Sequence, residues 1–342
     1  MKRFIFIILS LLLISCSNNN SKEKIDKIIS QGNFSKAERL IKSDSFTESE
    51  KEMYGNIIFN KKLEIAVDEA FKGDWKNLNK MIKKGNLSQE QYDMLLSSIY
   101  TWVRDIQVIM EKTNYLIPLD SYCANRTILE LAVKEQKYDL IKILIEKGAD
   151  LQLTDKEGQY NPLLLSIEFK TENSLKIFKL LLDNTIINSQ YFKRNNYSSE
   201  WYVEKMIQCK QPEMLKLFFE NSKATQAFLN TEECLQEICT YSHIFDYCDE
   251  SLLLNVKNID ENYDYFLSAL ESCNPEAVKL LMKMNVSPIM KGEDAVDIFF
   301  DSCTRVNGGI AWPALSTGKY EELLELKPEI DEYVKKWIVS QS

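Results

Sequence analysis

The chain has 342 residues, of which 42 are basic and 51 acidic, so its net charge is −9. Nucleic acids and anionic membrane surfaces attract proteins through positive charge, and this composition argues against either as the main partner. Glycine and proline are scarce, at 10 and 7 residues, which favours helices joined by short turns.

The first residues have the pattern of an export signal. Lys2 and Arg3 precede an apolar run from Phe4 to Ile14, and no acidic residue appears before Glu23. A basic start followed by a short apolar core is typical of a secretory signal. A transmembrane anchor is the alternative, but eleven helical residues extend about 16 Å, roughly half of a hydrocarbon core. We therefore predict a signal peptide at residues 1–15.

The apolar run ends in Leu13-Ile14-Ser15-Cys16, which resembles the bacterial lipobox. In proteins with that motif, a peptidase cuts before the cysteine, which carries the acyl chains of a membrane anchor. The resemblance implies lipidation of Cys16 and a place in the cell envelope. Because Ser17 rather than Asp follows, the outer membrane is favoured over the inner one. An ordinary secretory signal with a nearby cysteine is the alternative.

The residues after the cysteine predict a short tether and then helical repeats. Residues 16–21 are the lipidated cysteine and a polar stretch, and we expect regular structure from Lys22. The segments Gly32 to Met53 and Gly73 to Met94 resemble each other at a step of 41 residues. In each, Thr47 or Ser88 opens a further helix. This echo predicts divergent N-terminal repeats over residues 22–118, either ankyrin-like or tetratricopeptide-like.

The segment from Asn125 to Asp155 predicts a pair of short helices. Thr127 opens the first helix, and Gly148 ends the second. The second helix has an apolar stripe at helical spacing, formed by Leu140, Ile141, Leu144 and Ile145.

This segment resembles an ankyrin repeat. The residues in register with the family pattern are Thr127, Leu129, Ala132, Leu140, Ile141, Leu144, Gly148, Ala149, Asp150 and Asp155. Glu130 stands where the family has the histidine of its Thr-Pro-Leu-His motif, so the resemblance implies that the hydrogen bonds of that histidine are lost.

The resemblance implies an all-α, ankyrin-like helical-repeat solenoid with an array over residues 119–305. Further second helices are predicted to begin at Leu175, Pro212 and Pro275. Since the last step is about twice the others, a degenerate unit is expected around Thr231 to Cys248. Residues 306–342 predict a C-terminal cap of two short helices, Lys319 to Leu326 and Pro328 to Val339, with Pro328 in the first turn of the second.

One cluster of potential metal ligands surrounds His243, the sole histidine of the sequence. It consists of Cys234, Cys239, His243 and Cys248. The spacing is not that of a standard zinc motif. A zinc site and a Cys239–Cys248 disulfide are therefore weaker readings than simple packing of buried cysteines. The pairing of the remaining cysteines stays open: Cys123, Cys209, Cys273 and Cys303.

The sequence predicts a binding protein rather than an enzyme. It has no phosphate-binding loop, dinucleotide fingerprint, zinc-protease motif or EF-hand, so we expect no cofactor and no small-molecule substrate. The ankyrin resemblance implies protein contacts through the repeat tips and first helices. The tip candidates are Gln152, Thr154, Lys156, Gln159 and Tyr160. Tyr160 is favoured because aromatic residues often anchor interfaces. Packing of Tyr160 against the neighbouring tip is the alternative.

Three functions remain open at this stage. The first is a non-catalytic, membrane-anchored scaffold that binds another protein in the bacterial envelope. The second is an inhibitor or immunity protein for a basic toxin or enzyme. Cleavage would remove Lys2 and Arg3 and change the net charge from −9 to −11, which permits such a partner. The third, an enzyme with an unrecognised site, has no motif in its favour.

Overall fold

The computed structural model describes residues 19–43, 46–84, 87–187, 199–231, 234–260, 263–290, 293–294, 296, 299 and 319–341. Regular structure in these residues is helical apart from two short β-hairpins, which confirms the predicted all-α, ankyrin-like repeat fold. The signal peptide, Cys16 and Ser17 lie outside the described residues. Among the described helices, none is both long and apolar enough to cross a membrane.

The chain divides into two units, the first ending at Ile117 and the second beginning at Pro118. The described part of the first unit is built from helices. They are α1 (Asn19–Ser30), α2 (Phe34–Ile41), α3 (Glu48–Phe71), α4 (Lys76–Lys83), α5 (Gln89–Val103) and α6 (Ile106–Lys112).

Helix α1 begins earlier than predicted. Residues 19–21, expected to belong to a flexible tether, are already helical. The physical reason lies one turn further along, where Ile25, Ile28 and Ile29 form a stripe at helical spacing. This stripe is buried in one core with Ala37 and Tyr54. Because packing fixes the helix there, its polar first turn extends back to Asn19, and the tether prediction was wrong for residues 19–21.

Helices in both units start with the same local device. Thr47 and Ser88 cap α3 and α5, each in a capping box closed by Glu50 or Gln91. Thr127 does the same for the first helix of the second unit. In such a box the capping side chain and the residue three positions later satisfy each other's backbone amides. The helix starts predicted at Thr47 and Ser88 are thus explained by hydrogen bonding.

The second unit opens with a hairpin of β1 (Tyr122–Cys123) and β2 (Arg126–Thr127), followed by paired helices. The first helices of the pairs begin 31 to 37 residues apart. They are α7 (Ile128–Lys134), α9 (Pro162–Ser166), α11 (Ser199–Gln208), α14 (Cys234–Thr240) and α16 (Tyr265–Glu271). The regular second helices are α8 (Tyr138–Glu146), α10 (Glu172–Asn184), α12 (Pro212–Glu220) and α17 (Pro275–Lys283).

Helices of the same kind stack on one another. First helices α7 and α9 pack together, as do α11, α14 and α16, and second helices α8, α10 and α12 form a neighbouring row. An added helix, α13 (Ser222–Leu229), follows α12. After α14, a 3₁₀ helix (Ser242–Asp246) stands in place of a regular second helix and is followed by α15 (Glu250–Leu253). A degenerate unit therefore lies where it was predicted.

The C-terminal end of the chain is a single helix rather than two. After a second hairpin of β3 (Ile289–Met290) and β4 (Glu293–Asp294), the last element is α18 (Lys319–Gln341), with Pro328 inside it. Proline cannot donate a hydrogen bond to the carbonyl four residues earlier, which normally weakens a helix. Here a continuous buried stripe holds both halves, since Leu323, Leu326, Ile330 and Val334 are buried and α18 packs on α17. The predicted break at Pro328 was wrong.

Candidate protein-binding surface

The first repeat of the second unit projects a tight hairpin. Ala124 and Asn125 connect β1 and β2 with φ values of 47° and 73°. A two-residue turn with both residues in the left-handed region matches the natural twist of paired strands. The hairpin places Arg126 beside Thr127, the residue that caps α7.

Glu130 completes that cap from a fully buried position. Its Oε2 accepts a hydrogen bond of 2.8 Å from the Thr127 amide, while the Glu130 amide donates to Thr127 Oγ1 at 3.1 Å. Its Oε1 is buried and has no hydrogen-bond partner among the described residues. Burial raises the pKa of Glu130 to about 7, and the negative charge of Asp155 adds to this, whereas the Thr127 amide and Arg126 oppose it.

Neighbouring tips are joined by several contacts. The Lys156 amide donates to the Asn125 carbonyl at 2.9 Å, and the Tyr122 hydroxyl donates to the Thr154 carbonyl at 3.0 Å. The Lys156 ammonium also lies 5.2 Å from the centre of the Tyr122 ring. These contacts fix the loop after α8 against the hairpin that precedes α7.

Two cations lie close to the Tyr160 ring. The Arg126 guanidinium is 5.5 Å from its ring centre and the Lys205 ammonium 5.8 Å. The Tyr160 hydroxyl donates to Glu168 Oε1 at 2.8 Å, and Lys205 pairs with the same oxygen at 3.0 Å. Cations over an aromatic face are attracted by its quadrupole. The half-buried ring therefore links β2 of one repeat to α11, two repeats further on.

The chain of contacts continues towards the degenerate unit. On α11, next to Lys205, Glu204 accepts hydrogen bonds from Gln208 at 2.7 Å and from the Tyr241 hydroxyl at 3.3 Å. A row of aromatic and charged side chains thus follows the first helices over four successive repeats. We call it the Tyr160 network, formed by Arg126, Tyr160, Glu168, Glu204, Lys205 and Tyr241.

Comparison with known proteins identifies the repeat that carries this hairpin. Residues 124–156 match the family model described as Ankyrin repeat. The chain contains an ankyrin repeat. Ankyrin repeats are protein-interaction modules, so the coarse function indicated for this region is protein binding.

One relative extends beyond this repeat. A protein of Acanthamoeba polyphaga mimivirus, named Uncharacterized protein L146, is 28% identical over 196 residues, which cover 55% of this chain and 50% of the viral protein. The chain thus spans about half the length of the curated relative it matches. No solved structure matches the chain.

The structure places the five predicted tip residues of the ankyrin array in the loop between α8 and α9. Thr154, Lys156 and Tyr160 contact neighbouring repeats, as described above. Gln152 and Gln159 use their backbone amides within the loop, donating to Asp150 at 2.8 Å and to Asp155 at 2.7 Å. Tyr160 contacts Arg126 of the preceding hairpin, and its role as an interface residue stays a prediction.

Sequence reasoning missed the partners of Tyr160, namely Arg126, Glu168 and Lys205. Arg126 and Lys205 belong to the repeats on either side, so no local pattern connects them with Tyr160. Glu168 lies eight residues after Tyr160, beyond the short helix α9. The signal available in the sequence was the position of Tyr160 in a tip loop. When repeats stack in register, charged residues of the neighbouring repeats come within reach of such a residue.

A second set of missed residues connects the turns between paired helices. The Thr171 hydroxyl donates to Gln136 Oε1 at 2.8 Å, and Gln211 Nε2 donates to the Phe169 carbonyl at 2.7 Å. Asn274 Nδ2 donates to the carbonyls of Ile238 and Cys239 at 2.9 and 3.1 Å. Each bond reaches back to the preceding repeat. These bonds join neighbouring repeats. Glu130, which stands in place of the family's histidine, makes no such bond here and instead caps its own helix.

The cysteine cluster is part of the core. Cys234, Cys239 and Cys248 are buried, and Cys239 and Cys248 are not joined in a disulfide. Burial raises the pKa of the Cys239 thiol and raises that of Cys248 to about 12. No three potential ligands converge among the side chains that the structure describes, and the side chain of His243 lies outside them.

A shallow groove lies between the second helices α10 and α12. Its walls include Lys179, Leu217 and Glu220. Sites for small molecules are usually enclosed and largely apolar. This groove is open and lined by charged side chains, which fits a solvated helix surface better than a substrate pocket.

Proposed function

We propose that this protein is a lipid-anchored, non-catalytic scaffold of the bacterial envelope that binds a partner protein through the Tyr160 network. The observation that carries the proposal is the continuity of that network over successive first helices of an ankyrin array. Tyrosine and arginine are enriched among residues that dominate interface energies. In the network they lie side by side on a stacked, rigid framework.

The geometry also favours binding on entropic grounds. Tyr160 is held by two cations and by the hydrogen bond to Glu168, so its rotamer is fixed before a partner arrives. Ordering a side chain at an interface costs about 0.5–1.5 kcal/mol, which a pre-ordered residue largely avoids. The stacking contacts therefore support, rather than oppose, a role for Tyr160 at an interface.

A pull-down from native membranes tests the binding proposal. Tyr160→Ala should abolish capture of the partner, and Lys205→Ala should weaken it. Tyr138→Ala is the matched control, because Tyr138 is a half-buried tyrosine at the start of α8, in the preceding repeat and outside the Tyr160 network. Equal capture by the wild-type chain and Tyr160→Ala, with both folded by circular dichroism, would contradict the proposal.

The lipid anchor rests on the sequence Leu13-Ile14-Ser15-Cys16. Helix α1 begins three residues after Cys16, so the first unit would start close to the lipid surface. Cys16→Ala should abolish acylation and release the chain from the membrane fraction without changing its helical content. Membrane retention of that variant, with no acyl chain detected by mass spectrometry, would refute the anchor.

An inhibitor or immunity protein is the second candidate, and the acidic composition of the chain favours it. The net charge of −11 after cleavage suits a cationic toxin or enzyme as the bound protein. The same pull-down separates the two functions. A resident envelope protein supports the scaffold, whereas a basic hydrolase or toxin whose activity falls on binding supports the inhibitor.

A further inference from the structure

Two buried polar atoms of opposite charge lack partners at the start of the ankyrin repeat. Arg126 Nη1 and Glu130 Oε1 are both buried, and neither has a hydrogen-bond partner among the described residues. Arg126 lies on β2, and Glu130 lies in the first turn of α7. Buried polar groups in proteins are nearly always paired, so this donor and this acceptor call for an explanation.

Arg126 is the cation that acts on Glu130. Its positive charge favours the ionised carboxyl, whereas the charge of Asp155, in the loop after α8, opposes ionisation. Helix α9, which packs on α7, contains no titratable residue. The other charged residues of α7 and those of α8 are exposed, namely Lys134, Asp139, Lys142 and Glu146. An ionised Glu130 would therefore find its counter-ion in Arg126.

Arg126 has a second attraction besides Glu130. Its guanidinium lies 5.5 Å from the centre of the Tyr160 ring. A cation over an aromatic face gains less free energy than a guanidinium that is hydrogen-bonded to a buried carboxylate. The ring is also held by Lys205 and by the hydrogen bond to Glu168, so it can stay in place when Arg126 leaves.

The protonation of Glu130 decides between the two attractions. A neutral carboxyl carries no charge to attract a guanidinium, whereas a buried carboxylate carries a desolvation cost that a nearby cation offsets. Burial raises the pKa of Glu130 to about 7, so its carboxyl ionises as the pH passes through neutrality. The observed arrangement, with Arg126 on the Tyr160 ring and unbonded to Glu130, is the one expected of a neutral carboxyl.

We propose that Glu130 is a pH switch for the Tyr160 network. At acidic pH, Arg126 stays on the Tyr160 ring. Above neutral pH, the Glu130 carboxylate draws the guanidinium away from the ring, and Arg126 Nη1 donates to Glu130 Oε1. The consequence for binding rests on the proposed function: the partner of the network is bound more tightly at acidic pH, when both cations hold the ring.

Nuclear magnetic resonance of the purified full chain tests the switch without a partner. The chain has six arginines, so selective ¹³C labelling of arginine gives few side-chain signals. The δ-methylene protons of Arg126 do not exchange with water, and the absence of their signal in Arg126→Lys identifies them. The ring current of Tyr160 should shift this signal upfield at about pH 5. The shift should be largely lost at about pH 8, with a midpoint near pH 7.

Two variants make the test specific. In Glu130→Gln, which does not titrate, the Arg126 signal should keep its upfield position over the whole range. Asp155 and His243 remain in this variant, so it separates their titration from that of Glu130. In Tyr160→Leu, which lacks the ring, the upfield shift should be absent at every pH. An Arg126 signal that does not move with pH in the wild-type chain would overturn the proposal, as would the same movement in Glu130→Gln.

The pull-down from native membranes tests the consequence for binding. Capture by the wild-type chain, divided by capture by Glu130→Gln, should fall about two- to fivefold from acidic to alkaline pH, the effect of one cation–aromatic contact. The ratio cancels any titration of the partner itself. Equal capture by the wild-type chain and Tyr160→Ala would refute the proposed function, and the Arg126 signal would still decide the switch. A constant ratio, with capture that depends on Tyr160, would overturn the consequence for binding.

Discussion

The ankyrin repeat at residues 124–156 and the degenerate unit that begins with α14 stack by different means. In the first, a hairpin, a capping box and a nine-residue second helix define the repeat locally. In the second, a five-residue 3₁₀ helix replaces the second helix. Position in the array is instead fixed from outside, because Asn274 of the next repeat bonds to the carbonyls that end α14.

This contrast explains why one repeat is recognisable in sequence and the other is not. Local hydrogen bonds require particular residues at particular positions, such as Thr127 and Glu130. A unit that is held by its neighbours needs only an apolar face, which Cys234, Leu235 and Ile238 supply. Since stability in repeat proteins is shared between a repeat and its interfaces, a loss of local pattern is tolerated where the interface is strong.

The largest predicted effect comes from breaking that interface. Asn274→Ala leaves the carbonyls of Ile238 and Cys239 and the amide of Ala277 without their side-chain partner in a fully buried site. Unsatisfied buried groups cost about 1–3 kcal/mol each, and we expect a total of about 3 kcal/mol. Urea unfolding followed by circular dichroism measures this loss of unfolding free energy.

The control for Asn274 is the corresponding bond in the recognisable repeat. Thr171→Val removes the hydroxyl that donates to Gln136 in an exposed bond and that also caps α10 by accepting from the Ser174 amide at 3.0 Å. We expect a cost of about 1 kcal/mol, most of it from the lost cap, because water replaces the exposed partner. Equal losses for Asn274→Ala and Thr171→Val would show that the degenerate unit does not depend more strongly on its neighbour.

The next largest effect is the pH dependence of stability that Glu130 contributes within the ankyrin repeat. The pKa of Glu130 is about 7 in the folded chain and 4.5 as the ordinary value of a glutamate. The folded state thus holds this proton more tightly than the unfolded state. The stabilisation that protonated Glu130 gives the folded state is fully present below about pH 4.5 and is lost as the pH rises through 7. The shift corresponds to about 3 kcal/mol at most.

Glu130→Gln sharpens this test, because glutamine still accepts a hydrogen bond from the Thr127 amide but does not titrate. The unfolding free energy of the wild-type chain should fall between pH 5 and pH 8 more steeply than that of the variant. At pH 8 the variant should be the more stable protein. If the unfolding free energies of the wild-type chain and the variant changed in parallel with pH, the pKa of Glu130 would be the same in the folded and unfolded states.

Much of the fold was predictable because it depends on patterns within one helix or one turn. Apolar stripes located the second helices, and Thr47 and Ser88 marked real helix starts. The error at Pro328 has the opposite origin. A local rule predicted a break, but burial of Leu323, Leu326, Ile330 and Val334 along one face kept the helix continuous. Packing outweighed the lost backbone bond, and packing partners are not visible in the sequence.

The candidate surface was predictable only in part for the same reason. Tyr160 was identified as an aromatic residue in a tip loop, a property of its own segment. Its cation partners, Arg126 and Lys205, lie in the preceding and following repeats, and their distances depend on how the repeats stack. The exposure of Phe71 at the end of α3 and of Trp102 in the last turn of α5 was not predicted either, because both helices also have an apolar buried face and sequence periodicity does not show which end is left uncovered.

The smallest predicted effect compares the capping boxes themselves. Thr127→Ala removes a cap whose residues are both buried, whereas Ser88→Ala removes an exposed one. Loss of a capping side chain costs about 0.5–2 kcal/mol, and we expect the upper half of that range for Thr127 and the lower half for Ser88. Urea unfolding of the two variants measures the difference. Since Thr127 lies beside Arg126, its loss should also loosen the hairpin and increase hydrogen exchange of the Lys156 amide, which bonds to Asn125. Unchanged exchange there would mean that the hairpin is held by its own turn and not by the cap of α7.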